Sequence, residues 1–500
     1  MDKFRKILAA VSAALCVYFA VQAYMQKRES REVESLELKG WGSGMLTLAR
    51  KYDRLVLFNV EGVGDGILAS PSPQSARILS RHYVRVTLRR EYFPADYGAI
   101  LRIYRLSGAK GQVGFGILSP KGYPIFMGRD LPDDPASELG EEKVLAGVAW
   151  MYKKRKAETK NGLQIALARV VADRELSDLP GFFSGGRRTA EIANIRSLFA
   201  VPAWGESVAV FSENARLIAR LAAGGDQLSR QTALLVRDEL LKRLEDGSIG
   251  FTDRLLLVRA LSEYAMLSDS ARDREAFKNA SLEVLSTLGK DGYFAPSGTA
   301  LLRDNALALS IMARACRLFG DGPFKSALAS SSAALMRNME KRSMLPAVLR
   351  TSADPDPRSE ASALDYALLA RAFLDSYFAT GGGDVLGAAK KAFSKLDEIF
   401  KDPSSEAWFE NGKNSVFANF LRYKIISDSG MPSTTGEAVQ ILADINSLSG
   451  GISGRFIKIL SALNMHSSPE AFLDRASSKL AMLANPMRTG MGAHISLSGE

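Results

Sequence analysis

The chain has 500 residues, 46% of them hydrophobic, which is enough to bury a large core and to form more than one domain. Its formal net charge is +10, from 65 basic and 55 acidic residues. The basic residues are scattered along the chain and do not form stripes with interleaved aromatic residues, which argues against a nucleic-acid-binding protein. Composition therefore predicts a globular protein of several domains with no nucleic-acid partner.

Cysteine and histidine are too sparse and too scattered to support thiol or metal chemistry. Cys16 lies in an apolar N-terminal segment and Cys316 in a helical pattern, so neither an internal disulfide framework nor a cysteine-based metal site is expected. The histidines, His82, His466 and His494, are far apart and lack the spacing of metal ligands. We expect no metal and no cofactor.

The first 30 residues read as a membrane anchor or a signal peptide. Residues 7–24 form an uncharged run that follows three basic residues, and its length suits a membrane span. Cleavage after Ala23 is the alternative, because small residues precede that point. The basic flank predicts a bacterial inner-membrane protein with a periplasmic body, or a secreted protein if residues 1–23 are removed.

Residues 41–134 alternate between strand and helix patterns. A helix at 44–52 is followed by strand, helix, strand, helix and a hairpin. These elements are predicted at 54–60, 73–83, 84–90, 96–106, 113–120 and 123–128. The order βαβαββ after a leading helix is that of a thioredoxin fold.

The loop after the first strand, "EGVGDGILAS", contains Gly62, Gly64, Asp65 and Gly66. Its third glycine comes one residue too early for a dinucleotide-binding fingerprint, and a Walker loop would need a Gly-Lys-Ser/Thr sequence. Asp65 would also repel a phosphate. We interpret the loop as a flexible turn, and a nucleotide-binding regulator using it is the weakest of the functional hypotheses.

From residue 138 onward the apolar spacing becomes that of helices. Residues 138–200 are predicted to be a helical linker region and residues 205–490 an all-α domain. Helices are predicted near 206–223, 229–245, 252–268, 271–288, 303–319, 323–341, 359–380, 384–400, 414–428, 433–448, 453–465 and 469–484. Six pairs of about 40 residues suit an (α/α)6 barrel, and an open helical solenoid shares the same period.

Several segments resemble a two-domain family that includes a vertebrate spermatogenesis-associated protein and many bacterial relatives. In the first half these are "RLVLFNV", "HYVRVTLRREYFPADYGAILRIY" and "GILSPKGYPIFMGRDLP"; in the second they are "RDNALALSIMARACRLFGD", "SALDYALLARAFLDSYFATG" and "SGMPSTTGEAVQIL". The resemblance covers about residues 41–490. It implies a thioredoxin-like domain followed by an (α/α)6 toroid of the six-hairpin glycosidase type.

The chain departs from this family at its reactive positions. The relatives carry Cys-His-x-Cys-His where this chain has the glycine loop, and their Trp-Pro aligns with Gln112 and Val113. No cysteine lies between residues 17 and 315, so no thiolate is present to attack a disulfide. The sequence excludes a dithiol oxidoreductase. In the second half, "SGTALLRDNA" lacks the His, Glu and Lys that the relatives carry before Asp-Asn-Ala.

The resemblance also implies a ligand site at one mouth of the barrel. Sugar hydrolysis there needs two carboxyl groups, one of them protonated. The candidate carboxylates are Asp304, Asp365, Glu360, Glu406 and Glu437, and the candidate stacking surfaces are Trp408 and Tyr293. The alternative is that Asp304 and Asp365 cap or pair within helix packing.

Two functional hypotheses follow. The first is a membrane-anchored binding or scaffold protein, with a glycan or protein partner and a redox-inactive thioredoxin-like domain. The alternative is a glycoside hydrolase or another carbohydrate-modifying enzyme that uses barrel carboxylates. An epimerase with two histidine bases is disfavoured, because His466 and His494 both lie near the C-terminus. Facing carboxyls in an open mouth would favour an enzyme, and a mouth filled by side chains would not.

Overall fold

The structure is a computed structural model, and its chain forms two compact units. The residues it describes are 40–62, 72–106, 109, 111–130, 140–154, 208–223, 227–267, 270–320, 322–354, 358–403, 407–418, 421–424 and 431–448. The first unit combines residues up to 90, residues 96–173 and residues 414–421, and the second unit contains the rest. The predicted anchor at 7–24, together with His466 and His494, lies outside the described residues.

The first unit contains a four-stranded mixed sheet flanked by helices. Its elements are α1 Ser43–Tyr52, β1 Leu55–Val60, α2 Pro73–His82, β2 Tyr83–Leu88, α3 Pro94–Leu106, β3 Phe115–Leu118, β4 Pro124–Gly128 and α4 Glu141–Lys154. The strand order is β2-β1-β3-β4. Strand β1 runs parallel to β2 and antiparallel to β3, which pairs antiparallel with β4. The element order is the one that the sequence predicts.

Helix α4 belongs to this sheet and not to a separate linker. Its Leu145 and Val148 are buried in the same core as Leu57 of β1 and Tyr83 of β2. The Tyr83 hydroxyl donates a hydrogen bond to the carbonyl of Leu145 over 2.7 Å. The first unit therefore extends beyond the predicted boundary at residue 134, because an amphipathic helix is stable only where its apolar face is covered.

Residues 414–418 and 421 complete the core around Trp41, although they are distant in sequence. The Trp41 indole N–H donates to Asp96 Oδ2 over 2.6 Å, and the Ser415 hydroxyl donates to the other oxygen of Asp96. Trp41 also packs against Phe58 and Phe417. The prediction of a helix at 414–428 is therefore wrong. The described residues of this segment form turns and extended chain, because the side chains of Ser415 and Phe417 contact Asp96 and Trp41.

The second unit is helical. Its first eight described helices follow four of the predicted pairs, whereas the ninth is predicted to pair with a helix at 414–428, whose described residues are not helical. The described helices are α5 Val208–Ala223, α6 Gln227–Glu245, α7 Phe251–Leu267, α8 Ala271–Leu285, α9 Leu302–Phe319, α10 Pro323–Lys341, α11 Ala363–Thr380, α12 Gly383–Phe400 and α13 Thr434–Leu448. A short antiparallel pair, β5 Ala300–Leu301 and β6 Val348–Arg350, lies between them.

Alternate helices form an inner row. Helices α5, α7, α9, α11 and α13 contact one another in succession, and the intervening helices pack outside them. Helices α7 and α11 are buried all round over residues 255–265 and 363–376, as expected for helices enclosed by others. Glu437 of α13 forms an ion pair with Arg216 of α5, so the first and last described inner helices meet. That contact favours a closed ring over an open solenoid.

Candidate functional site

Carboxyl groups gather where the inner helices α9 and α11 begin. We name Asp304, Asp365, Glu410 and Arg303 the acid cluster. Asp304 and Arg303 lie in the first turn of α9, Asp365 lies in the first turn of α11, and Glu410 comes from the chain before α13. The Arg303 side chain is 21% exposed, whereas the three acidic residues are buried.

Asp304 is a carboxylic acid in a setting that favours its neutral form. The Thr252 hydroxyl donates to Asp304 Oδ1 over 2.7 Å. Burial raises the pKa of Asp304 to about 6, although the Thr252 hydrogen bond and the Arg303 charge lower it in part. Asp365 raises the same pKa, because a second negative charge nearby disfavours ionisation. Asp304 therefore retains its proton closer to neutral pH than an ordinary aspartate does.

Asp365 is held by its own helix and by the neighbouring inner helix. Its Oδ2 accepts the Ser362 backbone N–H over 2.7 Å, and the Ser362 hydroxyl accepts the Asp365 N–H, which is a capping box. The Arg303 Nε lies 3.0 Å from Asp365 Oδ1. The predicted capping role is thus present, and it coexists with a place in the acid cluster.

Glu410 is the member of the cluster that sequence reasoning missed. It is 4% exposed and accepts a hydrogen bond from the Thr434 hydroxyl. Burial raises the pKa of Glu410, and the Asp365 charge adds to that effect. In the sequence "WFENG" it reads as a loop acid before a turn. Its position is fixed by the backbone N–H of Ala363, which donates to the carbonyl of Glu410 over 3.1 Å.

The other predicted site residues do not join this group through a described contact. Glu360 is half-buried, and its backbone N–H donates to the carbonyl of Tyr92 over 3.0 Å. Glu406 lies outside the described residues. Glu437 is buried in a different cluster, with Arg259 Nη2 only 2.6 Å from its Oε1.

The two predicted stacking residues have different surroundings. Trp408 is fully buried, its indole N–H donates to Asp397 Oδ1 over 2.7 Å, and its ring meets Phe393 edge to face. A ring enclosed in this way presents no face to a ligand. Tyr293 is half-buried, and the Asn338 side chain donates a hydrogen bond to its hydroxyl.

Two residues in the helical segments that resemble the family, Asn305 and Tyr366, hold neighbouring loops by hydrogen bonds. Asn305 Oδ1 accepts the Phe294 N–H over 2.8 Å, and its Nδ2 donates to the Phe294 carbonyl over 3.0 Å. The Tyr366 hydroxyl accepts the Leu345 N–H over 2.7 Å. Both residues follow an acid of the cluster in sequence, so the same first turns position a loop and a carboxyl group.

Farther along the inner helices, a second group fills the space between them. We name Arg216, Arg259, Arg314 and Arg371, with their acidic partners, the arginine network. These partners are Glu213, Glu263, Asp375, Glu437 and Asp444. Burial alone would raise the pKa of Asp375, but the Arg371 and Arg314 charges hold it below its usual range. This interior is occupied by ion pairs.

The glycine loop begins with a turn at the end of β1. Gly62 has φ +75°, a conformation that glycine adopts without strain, and Glu61 beside it lies 2.8 Å from Arg89. Gly64, Asp65 and Gly66 lie outside the described residues. Of the aligned Trp-Pro positions, Gln112 is exposed and Val113 fully buried.

Among the described residues, no helix is long and apolar enough to cross a membrane. In the same residues, no group of three or more His, Cys, Asp or Glu side chains is arranged to hold a metal ion.

Comparison with known proteins shows likeness of fold only. No family model and no curated protein matches the chain. The neighbours in solved structures are six-hairpin, (α/α)6 glycosidase-like enzymes. A family 76 α-mannanase from Bacteroides thetaiotaomicron has 9% identity and a TM-score of 0.43, covering 56% of this chain and 84% of that one.

Two further structures are similar at the same level. A family 105 glycoside hydrolase from C. acetobutylicum has 10% identity and a TM-score of 0.44, covering 55% of this chain and 82% of that one. An unsaturated glucuronyl hydrolase from Bacillus sp. GL1 has 14% identity and a TM-score of 0.40, covering 54% and 81%. Similarity this low carries no information about substrate or chemistry.

Proposed function

We propose that the helical unit is a carbohydrate-modifying module whose working groups are Asp304 and Asp365. One observation carries the proposal: two buried carboxyl groups of the same cluster have different surroundings. Burial raises the pKa of Asp304 to about 6, whereas Asp365 is ion-paired with Arg303 and forms a capping box with Ser362. A carboxyl group whose pKa is raised by burial, close to a second carboxyl group, is the pattern of an acid and a base in one site.

The chemistry that suits this pair is cleavage of a glycosidic bond. The protonated Asp304 would donate its proton to the leaving oxygen, and the Asp365 carboxylate would act on the opposite side of the sugar, as base or nucleophile. Arg303 is the partly exposed member of the cluster, so it would meet a ligand first.

The second candidate is the binding or scaffold function, without turnover. It is favoured by the internal partners that the three carboxyl groups already have. Thr252 bonds to Asp304, the capping box and Arg303 bond to Asp365, and Thr434 bonds to Glu410. An acid that must give up such bonds to reach a substrate is a weaker catalyst than an open one.

The test is turnover by the purified full-length protein. Chromogenic aryl glycosides and a panel of neutral and acidic oligosaccharides would be incubated with it, and aglycone or reducing ends measured. We expect turnover that Asp304→Asn lowers at least a hundredfold, since general acid catalysis contributes at least that much. Asp246→Asn, which alters an acid in the loop after α6, is the matched control and should retain full activity.

The possible outcomes separate the two candidates. A saturable rise in melting temperature with a glycan, but no product, would favour binding without catalysis. Turnover that Asp304→Asn leaves intact would remove the acid cluster from the chemistry. If no glycan changes either readout, glycan turnover and glycan binding are both contradicted, and a protein partner is what the scaffold function would require.

For the first unit we propose a redox-inactive thioredoxin-like domain. The strand order β2-β1-β3-β4 with β1 parallel to β2 supports this proposal. The lack of cysteine between residues 17 and 315 removes the thiol chemistry. We also propose that residues 7–24 anchor the protein with its body in the periplasm. Reduction of insulin by the purified protein would contradict the first proposal, and recovery of the full-length chain in a soluble fraction would contradict the second.

A further inference from the structure

Three helices of the first unit end at the same edge of its sheet, where β1 and β2 begin. These strands are parallel, and their first residues, Leu55 and Tyr83, pair with each other. Helix α1 ends two residues before β1, and helix α2 ends directly before β2. In the last turn of α4, the Tyr152 hydroxyl donates to Asp53 Oδ1 over 3.4 Å, so α4 ends at this edge too.

The turn between β3 and β4 lies at the same edge. Strand β3 runs antiparallel to β1, and its last residue, Leu118, pairs with Val56 near the start of β1. The turn that follows contains the exposed Lys121. We name the basic edge the described residues at 50–55, 80–84, 118–123 and 150–154.

The basic edge has an excess of positive charge. Its described residues include one acidic residue, Asp53, and one buried arginine, Arg54. Basic side chains at the ends of α1, α2 and α4 are locally favourable, because they lie at the negative end of each helix dipole. Six further basic residues of this edge are exposed: Arg50, Lys51, Arg81, Lys121, Lys153 and Lys154.

The surroundings of His82, at the end of α2, indicate the same excess. Burial lowers the pKa of His82, and the charges of Lys153, Arg81 and Arg54 lower it further. Each of these charges disfavours another positive charge at the same place. The basic edge is therefore electropositive where α2 and α4 end.

Two large apolar side chains are exposed beside these charges. Trp150 is 58% exposed and Met151 37% exposed, whereas Val148 and Tyr152 of the same helix are buried in the core of the sheet. Lys154 follows Trp150 by four residues, so the two side chains lie on the same face of α4. The end of this helix thus combines an aromatic ring with positive charge.

A bilayer of anionic lipids has the complementary chemistry. Its headgroups attract lysine and arginine, and tryptophan is enriched at the boundary between headgroups and acyl chains. Lysine side chains reach the headgroups while their methylene groups cover apolar surface. The proposed anchor at 7–24 would keep a bilayer within reach, because residues 25–42 extend to at most about 60 Å.

We propose that the basic edge and Trp150 contact the headgroup layer of an anionic bilayer, so that the first unit lies against the membrane. This inference rests on the proposed anchor at residues 7–24. It does not depend on glycan turnover by the helical unit. Exposed charges make most of the contact, so salt should weaken it, since the Debye length falls to about 3 Å at 1 M ionic strength.

The test uses the full-length protein in nanodiscs of phosphatidylcholine, with or without phosphatidylglycerol. The lipids have bromine in the upper part of their acyl chains, where it quenches a tryptophan at the headgroup boundary. We expect quenching in anionic nanodiscs that 1 M sodium chloride reverses. Trp150→Phe should lose this quenching, because Trp41 and Trp408 are buried. Circular dichroism would verify that the variant is folded.

A second set of variants tests the charge. Arg81→Gln, Lys153→Gln and Lys154→Gln, combined in one chain, should abolish the quenching in anionic nanodiscs. The matched control also removes three positive charges, so an effect of total charge alone would be equal in both. It replaces three exposed lysines of the second unit by glutamine and should retain the quenching: Lys242, Lys278 and Lys290.

Three results would overturn the proposal. Quenching that is absent from the incorporated protein, or unchanged in Trp150→Phe, would show that a bilayer does not cover Trp150. Equal quenching in neutral and anionic nanodiscs would show that lipid charge is not recognised. A chain that does not enter nanodiscs would contradict the anchor instead, and anionic brominated vesicles added to that chain would then test the basic edge by the same quenching.

Discussion

Replacing Asp304 by Asn tests the electrostatics of the acid cluster directly. Asparagine has nearly the same shape and retains an oxygen that can accept the Thr252 hydrogen bond, but it cannot ionise. The pKa of Asp304 is raised from 3.8 to about 6. A shift of about two pKa units corresponds to about 3 kcal/mol of folding free energy, which the ionised carboxylate costs in the folded state.

The sign follows from proton binding. Well below pH 3.8 both folded and unfolded chains hold the Asp304 proton, so this carboxyl group costs no folding free energy. Between pH 4 and 6 the unfolded chain loses the proton first, and stability therefore falls as the pH rises. Relative to the unaltered protein, Asp304→Asn should thus gain about 2 kcal/mol between pH 4 and pH 7.

The assay is urea unfolding of both proteins at pH 4, 5, 6 and 7. Unfolding is monitored by circular dichroism, to which the helical unit contributes most of the signal. Asp375→Asn is the contrasting variant. The pKa of Asp375 is lowered, so its contribution is fully present above pH 4 and is lost only at lower pH; the stability difference between Asp375→Asn and the unaltered protein should therefore stay nearly constant from pH 5 to pH 7. A difference between Asp304→Asn and the unaltered protein that does not change with pH would refute the reasoning.

Three further substitutions test the packing. Gly292→Ala should destabilise the protein by more than Gly62→Ala in urea unfolding. Both glycines have a positive φ, which costs about 1–2 kcal/mol for alanine. A Cβ at Gly292 would also lie 2.8 Å from a backbone oxygen, whereas no atom lies within 4 Å of a Cβ at Gly62. Asn305→Ala should cost about 2–3 kcal/mol, because backbone groups of the preceding loop lose their partners; the exposed Asn279→Ala is its control. Trp408→Ala should cost about 3–5 kcal/mol by leaving a cavity, and loss of ligand binding at unchanged stability would instead support stacking.

Local chemistry explains where the sequence-based predictions succeeded. Glycine-rich breaks separate the predicted helices of the second unit, and several of these helices have a clear apolar periodicity, so most of their bounds follow from the chain itself. Asp365 illustrates the same point at a single residue, since Ser362 and Asp365 have the spacing of a capping box and form one.

Long-range pairing explains what the sequence did not reveal. Glu410 lies in an irregular segment, and only the packing of that segment against the start of α11 places it beside Asp365. The segment that contains Ser415 was predicted to be helical, yet its contacts with Asp96 and Trp41 override its local preference. Such contacts join residues more than 300 positions apart.

By itself, the sequence determined the alternation of elements and the lack of thiol chemistry, because periodicity and composition are local or additive properties of the chain. Only the tertiary structure decided which charges meet. The raised pKa of Asp304 and the buried ion pair of Arg259 with Glu437 exist because several inner helices bring their polar groups into one enclosed space. In that space the free energy of a charge depends on its neighbours, and no single segment of the sequence contains all of them.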